Sequence, residues 1–197
     1  MSPALLEEVP LTTEAELGPL RRADWQRLPE EARCELIYGR LYVSPSPLLV
    51  HQILAGVLYQ RLDQLALRTG GLAAIAPMDV HLAPHSVVQP DVLYLSSARR
   101  HLAQSWIEGP PDLLVEVLSP GTARRDRGEK LRLYAETGVG ELWIVDGAER
   151  QIEFLVNENG RFVVTLPEGK DYRSPRLPEL ELDILALWQE LDRRLPR

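Results

Sequence analysis

Lys130 belongs to a chain whose 22 Lys and Arg residues include only two lysines, and it stands where a water-activating cation site would need one. Glu116 lies 14 residues before it, inside the apolar run Asp112-Leu-Leu-Val-Glu-Val-Leu118. Asp91 lies 25 residues before Glu116 and follows Pro90 at the start of another apolar run. Two carboxylates on adjacent buried strands bind a hard divalent cation such as Mg²⁺ or Mn²⁺, which polarises phosphoryl oxygens and lowers the pKa of bound water. Lysine can exchange a proton near neutrality when its surroundings tune it, whereas arginine stays protonated.

Glu116 is the strongest of these candidates, because a charge inside Leu-Leu-Val-Glu-Val-Leu is almost never buried without a partner. Asp112 is a decoy. It lies on the same run as Glu116, and an extended chain separates the two by roughly 13 Å, too far for ligands of one ion at about 2.0–2.6 Å. Asp112 therefore reads as a strand-start residue.

The elements that must hold these groups follow from periodicity. Trp25 to Cys34 is expected to be a short helix. Glu35-Leu-Ile-Tyr-Gly-Arg-Leu-Tyr-Val43 is a hairpin turning at Tyr38-Gly39, followed by a break at Ser44-Pro-Ser-Pro47. From Leu48 to Arg68 the apolar residues recur at helical spacing, and Thr69-Gly-Gly71 stops the helix. Strands are expected over Leu72–Ala76 running on into Met78–Leu82, then Val87–Leu95, then Leu113–Leu118, with a helix or irregular crossover from Ala98 to Ile107. Asp126 with Glu129 reads as a capping box opening a helix through Glu136, stopped by Gly138. Glu141–Asp146 is a buried strand, Gln151–Val156 and Arg161–Leu166 form a hairpin around Asn159-Gly160, and a last helix runs from Asp183 to Arg193. This is one α/β domain, residues 22–197, preceded by a proline-rich arm over residues 1–21.

Composition narrows the setting. A single cysteine, Cys34, excludes an internal disulfide framework and cysteine-rich zinc sites. No apolar run reaches the roughly 18 residues of a membrane span, and Met1 to Leu20 is acidic and broken by proline, so the expected location is cytoplasmic. The net charge of −7 is unfavourable for a phosphate backbone, although a divalent cation would neutralise some carboxylates. Basic clusters at Arg99-Arg100-His101 and at Arg124-Arg125 with Arg127 are the local exceptions.

These motifs together resemble the PD-(D/E)xK nuclease superfamily, and within it the Uma-two family of bacterial restriction-type endonucleases. The resemblance is carried by the Glu35–Val43 hairpin, His51, Val88-Gln-Pro-Asp91 and Pro111-Asp-Leu-Leu-Val-Glu-Val-Leu-Ser-Pro120. It continues through Asp126-Arg-Gly-Glu-Lys130 with Tyr134 and Gly138-Val-Gly-Glu-Leu-Trp-Ile-Val-Asp146, so that it covers roughly residues 22–190. It implies a restriction-endonuclease-like core, a mixed central sheet flanked by helices, with the arm and hairpins added. It also implies a Mg²⁺- or Mn²⁺-dependent endonuclease acting on DNA, with Asp91, Glu116 and Lys130 catalytic, and with Asp91, Glu116 and Glu35 around the metal. The superfamily lysine normally stands two residues after the strand acid; here that position is Leu118, and the resemblance moves the lysine to Lys130. His51 and Arg127, the latter read as lying on the apolar side of its helix, are substrate-binding candidates, and a second copy of the chain is a candidate partner. Two other readings stay open: a silent scaffold that keeps the fold, and a metal-dependent hydrolase of a small phosphorylated substrate.

Overall fold

The computed structural model describes residues 17–29, 32–43, 46–119 and 126–196, with residue 126 described by its backbone alone. The centre is a six-stranded mixed sheet whose strands are near-continuous apolar runs, as burial on both faces requires. Its members are β3 (Leu72–Ile75), β6 (Val92–Leu95), β8 (Leu113–Val117), β9 (Glu141–Asp146), β10 (Gln151–Glu158) and β11 (Arg161–Thr165), in the order β11-β10-β9-β8-β6-β3. Only β8 and β9 run parallel in it, joined by the crossover that carries Lys130. A second sheet, in the order β2-β1-β5-β4-β7, comprises β1 (Cys34–Ile37), β2 (Arg40–Val43), β4 (Val80–Ala83), β5 (Ser86–Val88) and β7 (Ile107–Glu108).

Strand alternation divides the core in two. Val92, Tyr94, Val115, Val117, Trp143 and Val145 point to one face, where they meet helix α2 (Leu49–Thr69) and helix α4 (Ile184–Arg194). Leu93, Leu114, Leu142 and Ile144 point to the other, against Ile37, Val80 and Val88 of the smaller sheet and Leu133 and Tyr134 of helix α3 (Leu131–Thr137). Glu116 shares that second face by its place in the alternation, and it is there that the smaller sheet and the crossover helix converge.

Several sequence expectations appear as drawn. The first hairpin turns on Tyr38 and Gly39, both with positive φ, and the later one on Asn159 and Gly160, again both positive, as tight turns between twisted strands require. Helix α2 ends on Gly70 in the left-handed conformation, and Asp183 caps α4 by accepting the Ala186 N–H at 2.9 Å.

Other expectations are corrected. The helix expected over Trp25–Cys34 is a single turn, α1 (Arg22–Trp25), while Cys34 already opens β1. Pro29 lies between them, and the Trp25 indole N–H instead donates to the Cys34 carbonyl at 3.0 Å. The two long strands expected across Pro77 and Pro90 are each split, and the halves belong to different sheets, because proline has no N–H to continue a ladder. The Ala98–Ile107 crossover is a 3₁₀ turn at Arg100–Leu102 followed by β7. A short hairpin of β12 (Asp171–Arg173) and β13 (Glu181–Asp183) had no strong pattern in the sequence. Residues 1–16 of the expected arm, the basic pair Arg124-Arg125 and the capping side chain of Asp126 lie outside the described residues. From Gly18 the chain follows the first hairpin, Gly18 N–H donating to the Tyr38 carbonyl at 2.6 Å.

Two buried polar groups anchor the periphery. The Glu141 carboxylate accepts from the Trp143 indole at 2.6 Å, the Tyr172 hydroxyl at 2.7 Å and the Ser174 hydroxyl at 2.5 Å, which ties the β12–β13 hairpin to the central sheet. Hydrogen bonds to a charged group contribute about 1.5–3 kcal/mol each, so Glu141→Gln, which weakens this set without changing its size, is expected to lower unfolding free energy by about 1–3 kcal/mol in denaturant titration.

At the smaller sheet, His81 stacks on Trp106 with ring centroids 4.8 Å apart, and its Nδ1 stands 3.6 Å from Glu108, whose carboxylate holds Arg22 of α1. Burial, then the charge of Arg22, holds the His81 imidazole below its usual range. The unfolded chain therefore binds the proton more readily. The stabilisation is complete above about pH 6.5 and is lost as pH falls below it. The thermal midpoint is expected to drop between pH 7.5 and 5.0, and His81→Phe, which keeps the stack and cannot protonate, should flatten that dependence.

Candidate active site

The register of β6 against β8 builds the site. Val92 pairs with Val115, so Asp91, one position before β6, comes beside Glu116. The Asp91 carboxylate is fixed by the Val117 N–H at 2.7 Å and by His51 Nε2, from the first turn of α2, at 3.2 Å. The β6–β8 ladder ends at Val92 with Val115, and the Val117 N–H just beyond it donates to the Asp91 carboxylate.

Glu35 arrives from the smaller sheet, and its Oε1 accepts the Gln89 N–H at 2.8 Å. Lys130 comes from the crossover and closes the group: its Nζ lies 3.0 Å from Glu35 Oε1 and 2.9 Å from Glu116 Oε1. All three are withdrawn from water, with 2%, 3% and 4% of Glu35, Glu116 and Lys130 exposed. Charges this deep are stable only when paired, and here one ammonium serves two carboxylates from two sheets.

Sequence reasoning missed Tyr134 as part of this group. Its hydroxyl donates to Glu116 Oε1 at 2.5 Å, and the residue is fully buried. Burial, then the Glu116 charge, pushes the phenol well above its ordinary range, so it stays protonated and donates. The signal was the spacing: residues four apart share a helix face, and Lys130 and Tyr134 are four apart.

Of the other candidates, Arg127 is corrected in position. It is exposed rather than on the apolar side, and its guanidinium pairs with Glu153 of β10 at 2.5 Å. The reason is a π-helical turn over Asp126–Lys130, which advances fewer degrees per residue than an α-helix and turns Arg127 away from the face of Lys130. The Arg99 and Arg100 guanidiniums take carbonyls at Pro110, Gly70 and Gly71, the last two closing the end of α2. Asp112 accepts the Ser96 N–H at 2.6 Å and takes no part in the cluster.

Among the described residues no three His, Cys, Asp or Glu side chains are already gathered for a metal ion, and the Lys130 ammonium lies between Glu35 and Glu116. The donor chemistry nevertheless fits one. Asp91, Glu116 and Glu35 offer the hard carboxylate oxygens that a divalent cation takes. Among the described residues no helix is long and apolar enough to cross a membrane.

The chain matches the family model Uma2 (Uma-two), described as "Putative restriction endonuclease", over residues 22–186. Among solved structures it is similar to "a putative nuclease belonging to DUF820" from Anabaena variabilis, with a TM-score of 0.72 and 18% identity, over 88% of this chain and 99% of that one. At that identity the likeness shows a shared fold. No curated protein matches the chain.

Removing the ammonium takes away the cation that lies between two buried carboxylates, a change that typically costs about 3–5 kcal/mol. Lys130→Met is expected to lose stability on that scale in denaturant titration. Adding Glu35→Gln should restore part of it, because one fewer charge is then stranded.

Proposed function

Because the chain belongs to the Uma2 family, we propose that it is a metal-dependent phosphodiester hydrolase, an endonuclease acting on DNA. The observation that carries this reading is the Lys130 ammonium placed on Glu116 and Glu35, beside Asp91. It supplies the acids and the lysine of the superfamily site although Leu118 occupies the usual lysine position.

In this reading Asp91 and Glu116, with the Val117 carbonyl, would hold Mg²⁺ or Mn²⁺, and Glu35 would complete the site directly or through water. The bound ion supplies Lewis acidity toward the scissile phosphate and a more acidic water. His51 keeps the Asp91 carboxylate oriented. Lys130 orients the attacking water or stabilises the charge that grows on the phosphoryl oxygens. Arg127 contacts a flanking phosphate by exchanging its pair with Glu153, and an exposed pair of this kind is worth only about 0–1 kcal/mol.

The test is cleavage of plasmid and single-stranded DNA with Mg²⁺ or Mn²⁺. Wild type is expected to cut, and Glu116→Ala and Asp91→Asn to lose about 10²-fold or more in rate. Lys130→Arg keeps the charge but not the compact, proton-exchanging ammonium, and should lose nearly as much with substrate affinity little changed. Full activity in Lys130→Arg removes the water-orienting role, and wild-type activity in Glu116→Ala overturns the site.

A further inference from the structure

Glu116 Oε1 receives two donors of different kinds, an ammonium at 2.9 Å and a neutral phenol at 2.5 Å. Both donors come from one face of the same crossover, and the phenol is shut away from water. In the protein without metal, Lys130 is the cation that balances Glu116 and Glu35. A divalent cation arriving on Glu116 would repel that ammonium, which has a second carboxylate, Glu35, to rest on at 3.0 Å. The Tyr134 hydroxyl carries no net charge, so the same cation opposes it far less than it opposes the ammonium, and the hydroxyl can stay on the carboxylate.

We propose that Tyr134 is the positioning residue of the site: its hydroxyl holds the Glu116 carboxylate in the metal-accepting orientation when Lys130 shifts its weight to Glu35. The inference rests on the metal-dependent reading above and names what keeps its central ligand in place. The placement explains why the ring is fully buried on the Glu116 side of the core, among Ile37, Leu93 and Ile144, instead of being replaced there by a plain apolar residue. Leu133 beside it fills core without offering a donor. Tyr134 touches no reacting atom and acts through Glu116 alone.

The experiment compares wild type, Tyr134→Phe and Asp91→Asn, all full length, by Mn²⁺ titration calorimetry and by the rise in thermal midpoint that saturating Mn²⁺ produces. Phenylalanine keeps the ring in its pocket and removes only the hydroxyl. Tyr134→Phe is expected to bind Mn²⁺ about tenfold more weakly, on the scale of one hydrogen bond to a charged group, and to show a smaller Mn²⁺-induced rise. A merely structural tyrosine would lower the midpoint without metal and leave the Mn²⁺ affinity unchanged. That result, with binding present in wild type and abolished in Asp91→Asn, overturns this inference alone. Absence of Mn²⁺ binding in wild type overturns it together with the metal-dependent reading. Should Tyr134→Phe fold poorly, Tyr134→Met gives the second check. It also removes the hydroxyl while a flexible apolar side chain refills the pocket, and Mn²⁺ affinity must fall there as well; an undiminished affinity overturns the proposal.

Discussion

A single ammonium shared by two buried carboxylates is the constraint on which the rest of the arrangement depends. Glu35 belongs to the smaller sheet, Glu116 to the central one and Lys130 to the connection between β8 and β9. None of the three would be tolerable alone at this depth, since an isolated charge in a low-dielectric interior shifts its protonation or unfolds its surroundings. Their mutual pairing therefore fixes how the two sheets meet. The apolar groups around them, Ile37, Leu93, Ile144 and Leu133, exclude water from the pair and so strengthen it.

The same constraint accounts for the local irregularities nearby. The β6–β8 ladder stops at Val92, and beyond it the Asp91 carboxylate takes the Val117 N–H in place of a backbone partner. The π-helical turn before α3 turns Arg127 to the surface, while the α-helical spacing after it keeps Lys130 and Tyr134 on one face. Regular secondary structure at either point would satisfy the backbone and misplace the side chain. Such departures cluster where function competes with regularity.

Much of the fold was legible because burial on both faces writes itself as an unbroken apolar run. Val92-Leu-Tyr-Leu95 and Glu141-Leu-Trp-Ile-Val-Asp146 were readable for that reason, and Glu116 stood out as the charge such a run cannot hold without partners. The later hairpin was readable from Asn159-Gly160, since few pairs adopt positive φ at both positions, and the first from Gly39 between two apolar runs. What escaped was the exchange of strands between sheets at Pro77 and Pro90, because a sequence pattern records which face is buried but not which sheet buries it. The phase of the crossover escaped too. A helical wheel assumes one period throughout, and the π turn breaks that period between Arg127 and Lys130. Tyr134 stood in the motif with Lys130 but was given no role, because an aromatic ring on a buried stripe is core far more often than it is a donor.

The scarcity of lysine then acquires a physical reading. Arginines in this chain serve at the periphery, in forked or paired contacts such as Arg22 with Glu108, Arg61 with Glu190 and Arg132 with Glu136. A planar guanidinium suits those partly exposed contacts, and at Arg22 two of its donors meet one carboxylate. Between Glu35 and Glu116 the requirement is different. Two single oxygens approach one nitrogen at 3.0 and 2.9 Å from separate sheets, and a compact head on a long apolar stem reaches both while the stem fills core. Packing and charge thus select lysine at position 130 before any catalytic argument is made, and the proposed chemistry draws on a residue that the fold already requires.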